Sequence, residues 1–219
     1  MTRSSQLCRG RTTSLLSIAL ATLVTAIAAP AYAGGGLLGI DHRWNYDDSG
    51  IWNRNLQLGV LATLFAGDVA TALWEGGDSR IGRTAWKSID STAIAGASAY
   101  ALKYAFSRRR PTTTDDPNEW FSGHGNASFP SGEVTVTSAM ITPFVLEYGK
   151  DHPAIYALEL LPLYDAIARI KVRGHWQSDV IAGYALGTAV GYFVQRSSHT
   201  PLILSVMPQQ IYIGIGKRW

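Results

Sequence analysis

The chain has 219 residues, 47% of them apolar and 16% charged, with a formal charge of +3 and a mean hydropathy of +0.04. That length fits one domain with short appendages. Arg3, Arg9 and Arg11, in a segment without acids, account for the whole positive excess. The remainder is neutral and lacks the basic surface a nucleic-acid binder needs.

Residues 1–33 read as a secretory signal peptide, with a basic start, an apolar run from Leu15 to Ala29, and Ala31-Tyr32-Ala33 as a cleavage site. The single cysteine, Cys8, precedes that run, so the chain beyond residue 33 carries none. Export without disulfides predicts a periplasmic protein held by packing alone. Residues 34–55 are expected to form an irregular segment around Trp44, Tyr46 and Trp52, with Asp41 and His42 in surface or capping roles.

A helical domain is expected over 56–200. Its first helix runs from Leu56 to Glu75, is interrupted by Asp68 and stops at Gly76-Gly77. Asp90-Ser91 reads as the cap of a second helix reaching Phe106, with Lys103 near its end. Arg108, Arg109 and Arg110 follow, and Pro111 stops the helix. Residues 112–129 form a long loop containing Trp120, Phe121 and His124, of the kind that carries function.

Ser131-Gly132 then opens a third helix, Val134 to Tyr148, with a kink expected at Pro143. A fourth runs from Pro153 past Pro162 to Ile170. A fifth, the His175 helix, puts His175 and Asp179 on one face one turn apart and runs through Val180 to Val194, with Gly183, Gly187 and Gly191 forming a stripe suited to close helix approach. The tail, 201–219, contains two β-like runs and reads as a short hairpin. The fold class expected is therefore all-α, a bundle of five to six helices. Within the helical domain, the longest charge-free run, Val180–Gln195, falls short of the roughly 20 residues a membrane span needs. This favours a soluble domain or one in peripheral membrane contact, and leaves the oligomeric state open.

Three separated blocks carry the chemistry. The first is Lys103, six residues, then Arg110-Pro111; the second is Pro130-Ser131-Gly132-Glu133; the third is Arg169, five residues, His175, three residues, Asp179. In order and spacing they resemble the signature of the type-2 phosphatidic acid phosphatase superfamily, K-x6-R-P, P-S-G-H and S-R-x5-H-x3-D. Two positions depart from it, Ala168 where the family has Ser and Glu133 where it has His.

Phosphoryl transfer needs positive charge around the phosphoryl oxygens and an in-line nucleophile. Lys103, Arg110 and Arg169 offer that charge, Ser131 a hydroxyl, and Gly132 a backbone N–H. The resemblance implies that His175 is the nucleophile, that Asp179 orients it, and that no metal or other cofactor takes part. It also implies that position 133 protonates the leaving oxygen. A glutamate is ordinarily ionised at neutral pH, so Glu133 acts as acid only if burial raises it; otherwise it slows expulsion, or His124 takes its place.

The expected activity is metal-independent hydrolysis of a phosphomonoester or diphosphate, carried by a lipid at the membrane face or by a small soluble molecule. A protein that binds phosphate or a lipid headgroup with impaired turnover is the alternative. A vanadate-dependent haloperoxidase, which shares the three blocks, is the lesser one.

Overall fold

A computed structural model describes residues 35–123 and 125–197, together with the backbone of two strands at 202–207 and 210–215. The expected signal peptide and His124 lie outside the described residues. Among those described are five α-helices: α1 Arg54–Glu75, α2 Arg80–Phe106, α3 Gly132–Tyr148, α4 Leu160–Lys171 and α5 Gln177–Arg196. Strands β1 Leu202–Met207 and β2 Gln210–Ile215 pair antiparallel, Leu202 opposite Ile215 and Met207 opposite Gln210.

Local chemistry sets the boundaries. Asn53 starts α1, its side chain accepting from the Asn55 N–H at 2.9 Å, and Gly76 ends it at φ 64°. Asp68 does not interrupt α1. It turns inward, where its Oδ2 accepts from the Ser88 hydroxyl at 2.6 Å. Helix α2 begins earlier than the Asp90-Ser91 pair suggests. Ser79 caps it by accepting from the Gly82 N–H at 3.0 Å, and Asp90 and Ser91 lie buried in mid-helix. Pro143 sits within α3, which continues through it. The expected fourth helix is divided: a 3-10 segment, Pro153–Glu159, precedes α4.

Helices α3 and α5 make the largest interface of the bundle. The glycine stripe of α5 is seated on α3. A Cβ on Gly183 would stand 2.6 Å from the Ser131 carbonyl oxygen, one on Gly187 2.2 Å from that of Thr135, and one on Gly191 2.6 Å from Thr142 Cβ. Only glycine permits this approach. The interior is accordingly made of small residues, Ala85, Ala95, Ala99, Ser88, Thr135 and Ala139, around a cluster of Val134, Ile170 and Val180.

Large apolar side chains lie outside. Trp74 is 89% exposed, and Leu56, Phe65 and Leu73 also face outward from α1. At 22 residues, or about 33 Å, α1 is the one described helix long and apolar enough to cross a bilayer. Its internal acid, Asp68, is the residue that interrupted this run in the sequence.

Residues 35–53 form an arm laid over the end of α4 and the start of α5. The Asp47 N–H donates to the Lys171 carbonyl at 3.0 Å, and Arg173 Nε to the Trp44 carbonyl at 2.9 Å. His42 and Gln177 exchange two hydrogen bonds, at 3.0 and 2.9 Å. Trp52 stacks on Tyr164 with ring centres 6.1 Å apart.

Candidate active site

The three sequence blocks meet at one cavity of about 330 Å³ between α2, α3 and the loop ahead of α5. Lys103, Arg110, Gly132, Glu133 and His175 line it, with Gly96, Ala99, Tyr100 and Val136 as an apolar side. Ser131, Arg169 and Asp179 stand behind these residues and are all buried.

His175 does not lie on a helix. It occupies the loop that closes α4, where Arg173 takes φ 52° and the Gly174 and His175 N–H groups both return to the Arg169 carbonyl. A Cβ on Gly174 would stand 2.3 Å from Arg169 Nη2, so glycine leaves that guanidinium its place. Asp179 sits in the first turn of α5, and its Oδ2 accepts from the Trp176 N–H at 2.8 Å. The four-residue spacing therefore works through a capped helix start rather than a shared helix face.

His175 Nδ1 faces Asp179 Oδ2 at 3.7 Å, and Nε2 points toward the cavity, 3.3 Å from Arg110 Nη1. Burial, aided by the Arg110 and Lys103 charges, pushes the imidazole down to about 3 against the pull of Asp179. A neutral ring with an available lone pair is the form a nucleophile requires. Asp179 is fully buried, which alone would raise its pKa. The net direction is downward, because His175, Arg108 and the Ser128 hydroxyl all favour its charge.

Lys103 Nζ donates to the carbonyls of Ala127, Ser128 and Pro130, at 3.1, 3.2 and 2.6 Å. Burial, with the neighbouring Arg110, lowers it to about 8. Arg110 reaches the carbonyls of Asn126, Ala127 and Gly174. The Ser131 hydroxyl is buried and has no hydrogen-bond partner among the described residues. Lys103 and Arg110 thus bring two cations to the cavity wall, a charge that suits phosphate.

Glu133 is held as a carboxylate. Arg54 meets it with a two-pronged contact, at 2.5 and 2.6 Å, and Arg169 Nε lies 3.9 Å away. Burial pushes Glu133 up, but the Arg54 hydrogen bonds and the Arg169 charge outweigh it, so its pKa falls below the ordinary value. Arg54 comes from α1, which contributes none of the three blocks.

Sequence reasoning also left Arg108 unassigned and placed Asp41 in a surface or capping role. Arg108 is fully buried between the rings of Trp120 and Trp176, 4.4 and 5.5 Å from their centres. It bonds Asp179 Oδ1 at 2.7 Å and Asp41 Oδ2 at 2.7 Å. Asp41 is buried rather than at the surface, and it does cap: its Oδ1 accepts from the Ser178 N–H at the start of α5. The run of three arginines hid this division of labour, since like charges in sequence resemble a solvated face.

With this geometry in place, residues 84–201 match the PAP2 superfamily. The chain belongs to that superfamily. The lipid A 1-phosphatase of Porphyromonas gingivalis is 36% identical over 100 residues, which is 45% of this chain and 20% of that protein. Those of Rhizobium etli and Rhizobium johnstonii are each 34% identical over 102 residues, 44% of this chain and 43% and 41% of theirs. The chain thus spans less than half the length of these relatives. A transmembrane PAP2-type phosphatidylglycerolphosphate phosphatase from Bacillus subtilis overlays 84% of this chain and 86% of its own, with a TM-score of 0.46 and 18% identity. As a member of the superfamily, this chain carries the all-α fold that the sequence predicts.

Proposed function

We propose that this PAP2 protein is a metal-independent phosphatase acting on a lipid-borne phosphate or diphosphate at the membrane face. The observation that carries this is the convergence of a neutral His175 with Lys103 and Arg110 on one cavity. The Nε2 lone pair of His175 attacks phosphorus in line, and the bond from phosphorus to the ester oxygen breaks. That oxygen leaves with the electron pair. Lys103, Arg110 and Arg169 balance the charge on the phosphoryl oxygens, and Asp179 steadies the imidazolium that forms. Water then hydrolyses the phospho-histidine.

A lipid substrate is supported by the apolar side of the cavity at Ala99, Tyr100 and Val136 and by the outward apolar face of α1. The lipid A 1-phosphatase relatives point the same way. Glu133 is ionised beside Arg54, so the leaving oxygen takes its proton from water. Good leaving groups, an anomeric phosphate or a diphosphate, suit such a site best.

A second reading rests on the same carboxylate. A glutamate locked to Arg54 fits a protein that binds phosphate or a lipid headgroup and turns it over poorly. Phosphate release with EDTA present, from an aryl phosphate and from lipid phosphates in mixed micelles, separates the two. Activity that survives EDTA and disappears in His175→Ala supports the phosphatase. Silence in the natural chain, with activity gained in Glu133→His, supports the binder. Silence in both, without vanadate binding, removes both.

A further inference from the structure

One buried acid behind the His175–Asp179 pair belongs neither to the three blocks nor to the span matched by the family. Asp41 lies in the arm, and its side chain is fully enclosed. Its Oδ1 accepts from the Ser178 N–H at 2.7 Å; its Oδ2 accepts from the Ser178 hydroxyl at 2.6 Å and from Arg108 Nη2 at 2.7 Å. Arg108 Nη1 donates to the same Ser178 hydroxyl at 2.8 Å and to Asp179 Oδ1 at 2.7 Å. The Pro117 carbonyl takes Arg108 Nε and the second Nη2 proton, at 3.0 and 2.6 Å. Every N–H of the guanidinium is therefore committed, and the group has no freedom to shift.

We propose that Asp41 is a positioning residue for the His175–Asp179 pair, acting through Arg108 to leave Asp179 its negative charge and to fix its direction. The inference rests on the phosphatase reading above. Its physical basis is charge balance in an enclosed space. One guanidinium facing Asp179 alone would neutralise it, and the imidazolium formed as His175 attacks would lose its counter-charge. Two carboxylates sharing one guanidinium leave a net negative charge for His175. In a low-dielectric interior that difference is felt strongly. Geometry adds to it: Asp41 binds the first turn of α5 at Ser178, next to Asp179, so the arm and the orienting carboxylate move as one body.

The test uses the full chain and an aryl phosphate. Asp41→Asn keeps the shape of the side chain and removes its charge. Expected is a fall in kcat of between about tenfold and a hundredfold, the range for losing the support of a catalytic group, with KM within about twofold. The assay temperature lies below the melting point of both proteins. The same substitution in an Asp179→Asn background is expected to leave kcat unchanged, because the charge it protects is already gone. A plain helix cap would cost the same in both backgrounds, so additive losses overturn the proposal. So does a kcat for Asp41→Asn within twofold of the natural chain. If Asp41→Asn melts below the assay temperature, Ser178→Ala loosens the same corner. A smaller loss confined to kcat is then expected, and an unchanged kcat overturns the idea. A natural chain with no phosphate release would instead sink the phosphatase reading itself.

Discussion

Arg54 and Glu133, 79 residues apart, meet through two hydrogen bonds of 2.5 and 2.6 Å at the edge of the cavity. The contact converts an acid that would repel phosphate into one whose charge is already matched. Arg54→Ala exposes that charge to the bound phosphate. KM is expected to rise about tenfold, the equivalent of about 1.4 kcal/mol, with little change in kcat. Adding Glu133→Ala should restore most of the loss, and steady-state kinetics on the three variants measures it. A KM unchanged in Arg54→Ala would show that Glu133 does not face the phosphate.

Protonation of the leaving oxygen by water, as proposed above, has a kinetic signature. Rates across a series of aryl and alkyl phosphates should fall steeply as the leaving group becomes more basic. Glu133→His should flatten that dependence by supplying an acid. Equal slopes in the two proteins would mean that another group already donates the proton.

Asp165 makes the fold sensitive to pH. It is buried on α4, and one of its oxygens has no hydrogen-bond partner among the described residues. Burial, with the nearby Glu133 charge, raises its pKa to about 7 from the ordinary 3.8. The folded state therefore holds this proton more tightly than the unfolded chain does. The stability it contributes is complete below about pH 4 and is lost as the pH rises to about 7, a change on the order of 4 kcal/mol. Denaturant titrations from pH 4 to pH 8 should show this loss in the natural chain and a flatter profile in Asp165→Asn.

Two glycine substitutions should act with opposite sign. Gly187→Ala drives a methyl group to 2.2 Å from the Thr135 carbonyl, and the helices must part. A loss of about 3 kcal/mol is expected, at the upper end for overpacking. Gly67→Ala, in α1, meets nothing within 4 Å and should gain up to about 1 kcal/mol from helix propensity. Thermal melts of the two variants against the natural chain check both.

Gly174→Ala tests the loop rather than the bundle. The added methyl group meets the far end of Arg169, 2.3 Å from Nη2, and that side chain can swing away. The melting temperature should change little, while KM for phosphate esters rises about tenfold as one cation leaves its place. A large drop in melting temperature with unchanged KM would assign Gly174 a packing role only.

The five helices and the close-approach face of α5 were legible because they follow from local pattern, apolar periodicity, caps and glycines four residues apart, whereas the helix that meets this face was not. The start of α2 was misread because Asp90 and Ser91 are good caps by type, yet both are buried in mid-helix and Ser79 takes the role. The block residues that line the cavity were legible through their resemblance to a family signature, and its apolar side was not. Their supports were not. Asp41 and Arg54 reach the site from segments that are distant in sequence and carry no pattern of their own, and the pairing of Arg108 with two buried acids is a property of the folded chain alone.

The glycine contacts between α3 and α5 also govern how the protein can move. Three points of touching backbone, spread over two turns of helix, act as teeth in a rack, so neither helix can slide or roll without collision. Asp179, in the first turn of α5, is thus mounted on a stiff frame. The cavity's edge is freer: Tyr100, which lines it, stands in the open and can turn without moving either helix of that rack.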